Sequence, residues 1–571
     1  MKLIYRFKDN NAFVYFFLLG LVFLCWGGLL SLHGIWWDDW AWVWQFYSTE
    51  NFSQYIKPFI SLRKVFEGTV LYLLFSLFSV FKEYTTLVWN ILKFIVLFFN
   101  AVIIYGIAKR ILGNKSLLPV LIASFFVVSP VVNNICLVTF LYQIETLTFL
   151  LSLHFCSKAL LENENRKINY TLSIILAFFT MFAHGGFILF DGVRALIIFY
   201  IFYNKRNLDF IKASKKTLIF WLPFLIIGVV VVIDSFLRPQ NGAYAGEYKI
   251  PALSINQYGH LLYNNYWESL NYVYPFYSFF AAKLMVISKF SKEILMSLIV
   301  SIYLGFSIFK LSRNKRYVLK IKENIWVFIF GLITIVLGIL PYALVRGAPS
   351  FGMDSRHALL LNLGVIVVAP ATICLVYSVI YYCFKHIVVP IIFTFTLSLI
   401  MFLNIFLCMD ITRAYRNDWD QQLDFWHKFV EAVPDLKTDT FLVVHMPRNE
   451  ERYFGVWRGA YSFAAPLNFL YATSSKYTEF NRHFAISSED SYFLKKGDGR
   501  KEVSFESFKG LQNYYPQNFV FAKYEKGVLQ INKGIESVAE VNELGITPSN
   551  EQIIYRKNKF PMRWFLSLDL E

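Results

Sequence analysis

The stretch "NAFVYFFLLGLVFLCWGGLLSLHGIWWDDWAWVW", residues 11–44, begins as an apolar run and ends in a segment rich in tryptophan. About 20 consecutive apolar residues form a helix long enough to cross the roughly 30 Å hydrocarbon core of a bilayer. Residues 11–32 therefore predict a membrane-spanning helix. Two adjacent carboxyl groups, Asp38 and Asp39, follow at its edge.

The composition of the whole chain is typical of a membrane protein. Its 571 residues are 56% hydrophobic and 16% charged, whereas soluble domains carry about 25% charged residues. The repeated apolar runs predict a polytopic α-helical membrane protein. The net charge of +16 is expected from Lys and Arg gathered in cytoplasmic loops. We therefore expect the lipid bilayer as a partner and no nucleic acid.

Alternation of apolar runs with basic loops predicts the topology. A basic N-terminus and the basic loops at 108–115, 204–216 and 312–322 belong in the cytoplasm. Eleven spans satisfy this rule: 11–32, 87–108, 117–134, 138–158, 169–184, 186–203, 217–237, 293–311, 324–343, 358–381 and 387–409. Two more apolar stretches, 66–82 and 272–290, are predicted to lie on the outer surface, because spanning would place basic loops outside.

Two parts of the chain are predicted to occupy different environments. Residues 1–410 form a transmembrane module with outer loops at 33–86 and 238–290. Residues 411–571 lack an apolar run of spanning length and are predicted to form a soluble α/β domain on the outer face. Within this part, "TDTFLVVHMP" predicts a buried strand, and "DWDQQLDFWHKFVEAV" predicts an amphipathic helix.

The acidic pair is the first candidate site, because charge at membrane depth is costly and marks functional positions. If this segment is helical, Trp36, Trp40 and Trp44 form one stripe, with Asp38 nearly opposite and Asp39 on the flank. We expect the tryptophans to face lipid headgroups and Asp38 to point into the protein. A buried carboxyl group beside a second one has a raised pKa, which suits removal of a proton from a hydroxyl. Ligation of a divalent metal is the alternative role.

Basic residues at the predicted outer ends of helices are candidates for binding phosphate. Guanidinium groups match phosphate geometry, and donors aimed at a leaving phosphate stabilise its developing charge. Pairing with lipid phosphates is the alternative interpretation. The residues at these positions are Arg63, Arg238, Arg346, Arg356 and His357.

The order of the motifs resembles the GT-C superfamily of membrane glycosyltransferases, and most closely its protein O-mannosyltransferase-like members. The resemblance rests on the acidic pair after the first helix, then "VWNILKFIVLFFNAVIIYGIAKRI" (88–111) and "LPVLIASFFVVSPVVNNICLVTFLYQIETLTFLLSLHF" (118–155). Trp89 stands where these enzymes carry His before Asn90. Pro130 matches the proline of their "F-x-x-x-P-x-x-x-x-x-V/I" helix. Glu145 lies farther along the chain from this helix than the acidic residue of these enzymes does.

This resemblance implies an inverting glycosyltransferase that moves a sugar from a polyprenyl-phosphate donor to a surface glycan or lipid-linked acceptor. Bacterial O-antigen glucosyltransferases that modify lipopolysaccharide share the general design. Asp38 would deprotonate the acceptor, with Asp39 as its neighbour, and Arg346, Arg356 and His357 would hold the phosphate. Glu145 and His184 are candidates for a second acidic or acceptor-binding group. No certain cofactor is implied, and a divalent metal remains open.

The implied location is the bacterial inner membrane, with a cytoplasmic N-terminus and a periplasmic C-terminal domain. Two other functions stay open at this point. A transporter or flippase would place its site near the bilayer midplane. A polysaccharide polymerase acting on lipid-linked glycans would use basic residues of an outer loop.

Overall fold

Long apolar helices make up most of the computed structural model of the protein. The structure describes residues 11–31, 34–35, 38–61, 64–81, 84–113, 116–132, 135–237, 321–343, 358–384, 388–433 and 440–445, short pieces within 254–302 and 463–470, and strands between 483 and 532. The first six helices are α1 (Asn11–Trp26, extended by a 3-10 turn Gly27–Ser31), α2 (Asp38–Tyr47), α3 (Phe52–Ser61), α4 (Val65–Phe81), α5 (Thr85–Leu112) and α6 (Leu118–Val127). The next eight are α7 (Leu137–Leu161), α8 (Arg166–Ala183), α9 (Gly186–Phe190), α10 (Gly192–Tyr200), α11 (Phe210–Leu237), α12 (Ile321–Ala343), α13 (Leu359–Phe384) and α14 (Val388–Ala432).

Within the described residues, eight segments are long and apolar enough to cross a membrane. They are Asn11–Ser31, Thr85–Leu112, Phe140–Leu161, Gly186–Lys205, Phe210–Asp234, Ile321–Pro341, Leu359–Cys383 and Val388–Ala432. Each of them overlaps a predicted span. The coarse prediction of a polytopic helical membrane protein therefore agrees with the structure.

The three remaining predicted spans have different outcomes. The unbroken helix predicted over 117–134 is wrong, because α6 has only ten residues and is followed by the short 3-10 turn Pro130–Val132. Proline supplies no backbone N–H for the helix ladder, and ten residues rise only about 15 Å. The span predicted at 169–184 corresponds to α8, 18 residues long with two cations at its start. Within the span predicted at 293–311, the described residues 294, 295, 297–299, 301 and 302 are helical, and the rest lie outside the described residues. The predicted surface helix at 272–290 lies wholly outside them.

The helix predicted at 66–82 is present as α4, 17 residues long. It packs closely on α3 at Gly68, where a Cβ atom would lie 2.4 Å from Cγ of Phe59. A side chain at this position would overlap that ring. The glycine therefore allows the close approach of α3 and α4.

The last described helix crosses the predicted domain boundary at residue 410 without a break. α14 has 45 residues and is about 68 Å long, more than twice the thickness of a bilayer core. The predicted span 387–409 and the predicted amphipathic helix at 418–433 are thus one element. Its sequence contains no glycine, and its one proline, Pro390, lies in the first turn, where proline is tolerated.

The strands after α14 include a four-stranded mixed sheet. The described strands are β1 (Thr440–His445), β2 (His483–Ser487), β3 (Lys496–Gly497), β4 (Arg500–Lys501), β5 (Val503–Ser507), β6 (Gly510–Tyr514), β7 (Asn518–Glu525) and β8 (Val528–Asn532). The sheet has the order β2-β1-β7-β8, with β1 parallel to β2 and β7, and β7 antiparallel to β8. The strand predicted in "TDTFLVVHMP" is β1 and is therefore confirmed.

A polar contact fastens this sheet to α14. Tyr524 of β7 donates a hydrogen bond to Oδ2 of Asp424 at 2.6 Å. Lys428 donates to the same carboxylate at 2.7 Å and to the carbonyl of Gly527 at 2.6 Å. We call Asp424, Lys428 and Tyr524 the helix–sheet joint.

Candidate functional site

Several helices meet at one end of the bundle. The indole N–H of Trp26 in α1 donates to the carbonyl of Val127 in α6 at 2.9 Å. The thiol of Cys408 in α14 approaches the next carbonyl, Val128, at 3.3 Å. Ser129 donates to Oδ1 of Asn362 in the first turn of α13 at 2.9 Å. We call this end, where α1 and α6 finish and α13 begins, the site end.

α2 carries the acidic pair and is packed at the site end between α14 and α3. Trp40 stacks on Trp419 of α14 with ring centroids 6.5 Å apart, and its indole N–H lies 3.4 Å from Oε1 of Gln422. On the other side of α2, Trp42 stacks on Phe59 at 4.7 Å. Residues on both sides of α2 are therefore held by protein.

This packing corrects the prediction that the tryptophan stripe faces lipid headgroups. Trp40 and Trp44 have exposed fractions of 0% and 1%, and both are part of the protein core. The helical period indicates which residues share a face, but not which face the protein covers. Trp36 and the side chain of Asp38 lie outside the described residues.

Asp39 is buried next to a lysine that comes from the middle of an apolar run. Asp39 is 1% exposed and Lys93 of α5 is 2% exposed, and their opposite charges attract each other. The Lys93 ammonium also donates to the carbonyl of Ile135 and lies 4.6 Å from the ring centroid of Trp89. A buried charge needs a partner, and Asp39 and Lys93 supply opposite charges to each other.

A second polar group gathers at the start of α4 and includes both Glu145 and His184. Lys64 forms an ion pair with Glu67 at 3.0 Å, and Glu67 lies close enough to Glu145 of α7 for their charges to interact. His184 lies close enough to Lys64 for the ammonium charge to act on the imidazole. Its ring centroid is 5.2 Å from that of Tyr142, one turn before Glu145. We call Lys64, Glu67, Tyr142, Glu145 and His184 the glutamate cluster.

The backbone after α8 fixes the imidazole of this cluster. Nδ1 of His184 accepts a hydrogen bond from the N–H of Gly186 at 3.1 Å, so the ring proton of a neutral imidazole lies on Nε2. A Cβ atom on Gly186 would lie 2.8 Å from this ring and 3.6 Å from Leu360 of α13. His184 is therefore also close to the first turn of α13.

The predicted phosphate-binding residues cannot be placed in this way. Arg63, Arg238, Arg346, Arg356 and His357 all lie outside the described residues. The described neighbours of the last two are nevertheless at the site end, since Asn362 contacts Ser129 there. In the part of the chain that the structure describes, no group of three His, Cys, Asp or Glu residues could hold a metal ion.

A third polar group, absent from the sequence-based candidates, lies between α8, α10 and α11. Arg194 and Asp191 are 0% and 1% exposed and form an ion pair at 2.8 Å. Arg194 also donates to Ser173 at 3.0 Å, and Trp221 donates to Asp191 at 2.9 Å. These hydrogen bonds join three helices, so we assign the group a role in packing.

Sequence reasoning missed Lys93 and Glu67, although a signal for each was present. Lys93 interrupts "ILKFIVLFF", and Glu67 interrupts "VFEGTVLYLLF". A single charge inside an apolar run is expensive and indicates a partner elsewhere in the chain. Comparison with known proteins adds no identification: no protein-family model matches this chain, and no curated protein is significantly similar to it.

Proposed function

We propose that the protein is an inverting glycosyltransferase of the GT-C type. It moves a sugar from a polyprenyl-phosphate donor to a surface glycan or lipid-linked acceptor, as in modification of lipopolysaccharide O-antigen. The observation that carries the proposal is the position of the acidic pair. It follows the first span, and Asp39 is buried beside Lys93 at the site end.

In this mechanism Asp38 takes the proton from an acceptor hydroxyl, and the hydroxyl oxygen attacks the anomeric carbon. The bond between that carbon and the phosphate oxygen breaks, its electron pair leaves with the phosphate, and the configuration inverts. Asp39, held by Lys93, keeps α2 in place and contributes negative charge beside the base. The leaving phosphate is bound by basic residues of the neighbouring loops, which are Arg63, Arg238, Arg346, Arg356 and His357.

The proposed topology has eleven spans, a cytoplasmic N-terminus and a C-terminal α/β domain on the periplasmic side of the bacterial inner membrane. Contacts between α1 and α14 support placing the acidic pair and this domain on one side. Arg416 of α14 bonds the side chain of Ser31, which ends α1, and Trp419 one turn later contacts α2. The part of α14 beyond these contacts leads away from the membrane toward the sheet.

A lipid-linked donor agrees with an apolar cavity between α5, α7, α10, α12 and α13. The cavity has a volume of about 130 Å³ and opens to the surface of the bundle. Ile104, Phe149, Val193, Phe330 and Ile366 are among the residues that line it. A cavity of this kind accommodates part of an isoprenoid chain, whereas a soluble sugar nucleotide would require polar walls.

The test is transfer by the purified full-length protein in detergent, with polyprenyl-phosphate glucose, galactose and mannose as donors and O-antigen glycan as acceptor. Asp38→Asn should reduce the rate at least 100-fold, which is within the range of general-base catalysis. Asp209→Asn is the control, because Asp209 is exposed and pairs only with its neighbour Lys212. The role of a metal is tested by repeating the assay after treatment with a chelator.

Full activity of Asp38→Asn would reject the general-base role. Movement of the intact donor lipid across proteoliposomes, without transfer of sugar to any acceptor, would favour the flippase alternative. Chain extension of a lipid-linked glycan would instead favour a polymerase.

A further inference from the structure

One oxygen of Glu145 is left without a hydrogen-bond partner in the described part of the chain. The Glu145 side chain is buried, with 2% exposed, and its Oε2 atom has no partner there. The neighbouring acid, Glu67, is already paired with Lys64 at 3.0 Å. A buried acceptor left unsatisfied costs about 1–3 kcal/mol, so this position suits a ligand that donates a hydrogen bond.

The charges of the glutamate cluster select the class of that ligand. Lys64 balances the charge of Glu67 at 3.0 Å, which disfavours a metal cation because the ammonium already occupies the cation position. A phosphate is disfavoured as well, because its oxygens only accept and would face two carboxyl groups. A neutral hydroxyl group meets both requirements, since it donates to Glu145 and accepts from a neighbouring N–H or O–H.

The cluster also contains partly exposed side chains and two neighbouring rings. Lys64, Tyr142 and His184 are each partly exposed, whereas the carboxyl group of Glu145 is buried behind them. Tyr142 and His184 present rings at 5.2 Å from each other. Carboxyl groups beside an aromatic surface suit a sugar ring, which has an apolar face and hydroxyl groups at its edge.

We infer that the glutamate cluster is a sugar-binding subsite in which Glu145 accepts a hydrogen bond from a pyranose hydroxyl and Lys64 and His184 donate to neighbouring oxygens. The inference rests on the proposed function, because it assigns this sugar to the donor or to the acceptor of the transfer reaction. It gives the cluster a role in recognition that is separate from the proton transfer at Asp38.

Binding is tested without turnover by saturation-transfer NMR on the full-length protein in detergent. The probes are the methyl glycosides of glucose, galactose and mannose at millimolar concentration. At least one glycoside should receive saturation from the wild-type protein, and Glu145→Leu should reduce that signal at least fivefold. Glu145→Gln should retain it within twofold, because the amide keeps a carbonyl oxygen as acceptor. Glu50→Gln is the matched control, because Glu50 is an exposed acid in the turn between α2 and α3.

The same experiment separates this inference from the proposed function. Loss of transfer in Asp38→Asn concerns the reaction, whereas loss of glycoside binding in Glu145→Leu concerns the subsite. Polyprenyl-phosphate glucose is then added to the bound glycoside. If it displaces the glycoside, the subsite holds the sugar of the donor, and if it does not, the subsite holds the sugar of the acceptor. If Glu145→Leu is not monodisperse, Glu145→Ala replaces it, since a small side chain cannot clash. Absence of saturation transfer in the wild type, or an undiminished signal in the Leu or Ala variant, would overturn the subsite.

Discussion

Lys93→Met tests the most consequential electrostatic contact at the site end. The substitution keeps much of the side-chain volume but removes the ammonium group from Asp39 and from the carbonyl of Ile135. Asp39 is 1% exposed and Lys93 is 2% exposed. Removing one partner of such a buried pair costs about 3–5 kcal/mol. At the lower bound, the unfolding equilibrium constant rises about 100-fold, since 1.4 kcal/mol corresponds to a factor of ten.

The assay is unfolding in mixed micelles with increasing mole fraction of dodecyl sulfate, followed by tryptophan fluorescence. Adding Asp39→Asn to Lys93→Met should recover about 2 kcal/mol, because a neutral amide needs no counter-charge. Lys109→Met is the control on the same helix, since Lys109 donates to the exposed side chain of Asn11 and does not face a buried carboxyl group there; its effect should stay within about 0.5 kcal/mol. Equal stability of the two Lys→Met variants, or strictly additive effects in the double variant, would refute the pairing of Lys93 with Asp39.

Two further substitutions test packing and the attachment of the sheet. Gly68→Ala should destabilise the protein by about 1–3 kcal/mol in the same unfolding assay, because the new Cβ atom would lie 2.4 Å from the Phe59 ring; Gly20→Ala, with no atom within 4 Å, should not. At the helix–sheet joint, burial raises the pKa of Asp424, but the hydrogen bonds that it accepts outweigh burial and leave its pKa below the ordinary value of 3.8. The stability that the joint contributes is therefore complete above that value and is lost as the pH falls through the lower pKa of the folded state. Pepsin should cleave the strands faster as the pH falls below about 4, and Asp424→Asn should remove this dependence. Cleavage that stays independent of pH in the wild type would contradict this role.

The helical bundle could largely be predicted from the sequence because apolar runs report which segments avoid water. The same signal failed where the chain leaves the apolar environment but the backbone stays helical. The chain becomes polar after Asp410, yet α14 continues to Ala432, since neither glycine nor proline interrupts it. The opposite error occurred at α6, where the sequence remains apolar but the helix ends before Pro130.

The candidate site could be predicted only in part, for a related reason. The position of the acidic pair at the end of the first apolar run is visible in the sequence. The burial of Trp40 and the approach of Lys93 to Asp39 depend on contacts between segments far apart in the chain. Hydrophobic periodicity reports neighbours on one helix, whereas these contacts join α2 to α5 and α14. Glu145 and His184 were candidates from the sequence, but their grouping with Glu67 was missed in the same way, because Glu67 and Glu145 belong to different helices.

The continuity of α14 gives the C-terminal part of the chain a direct role in holding the acidic pair. Trp419 and Gln422 lie beyond the apolar half of this helix and contact Trp40, the residue that follows Asp39. Asp39 is thus fixed from two directions, by Lys93 through its charge and by α14 through the adjacent indole. Because the sheet is attached to the same helix by the helix–sheet joint, α14 contacts both α2 and the sheet.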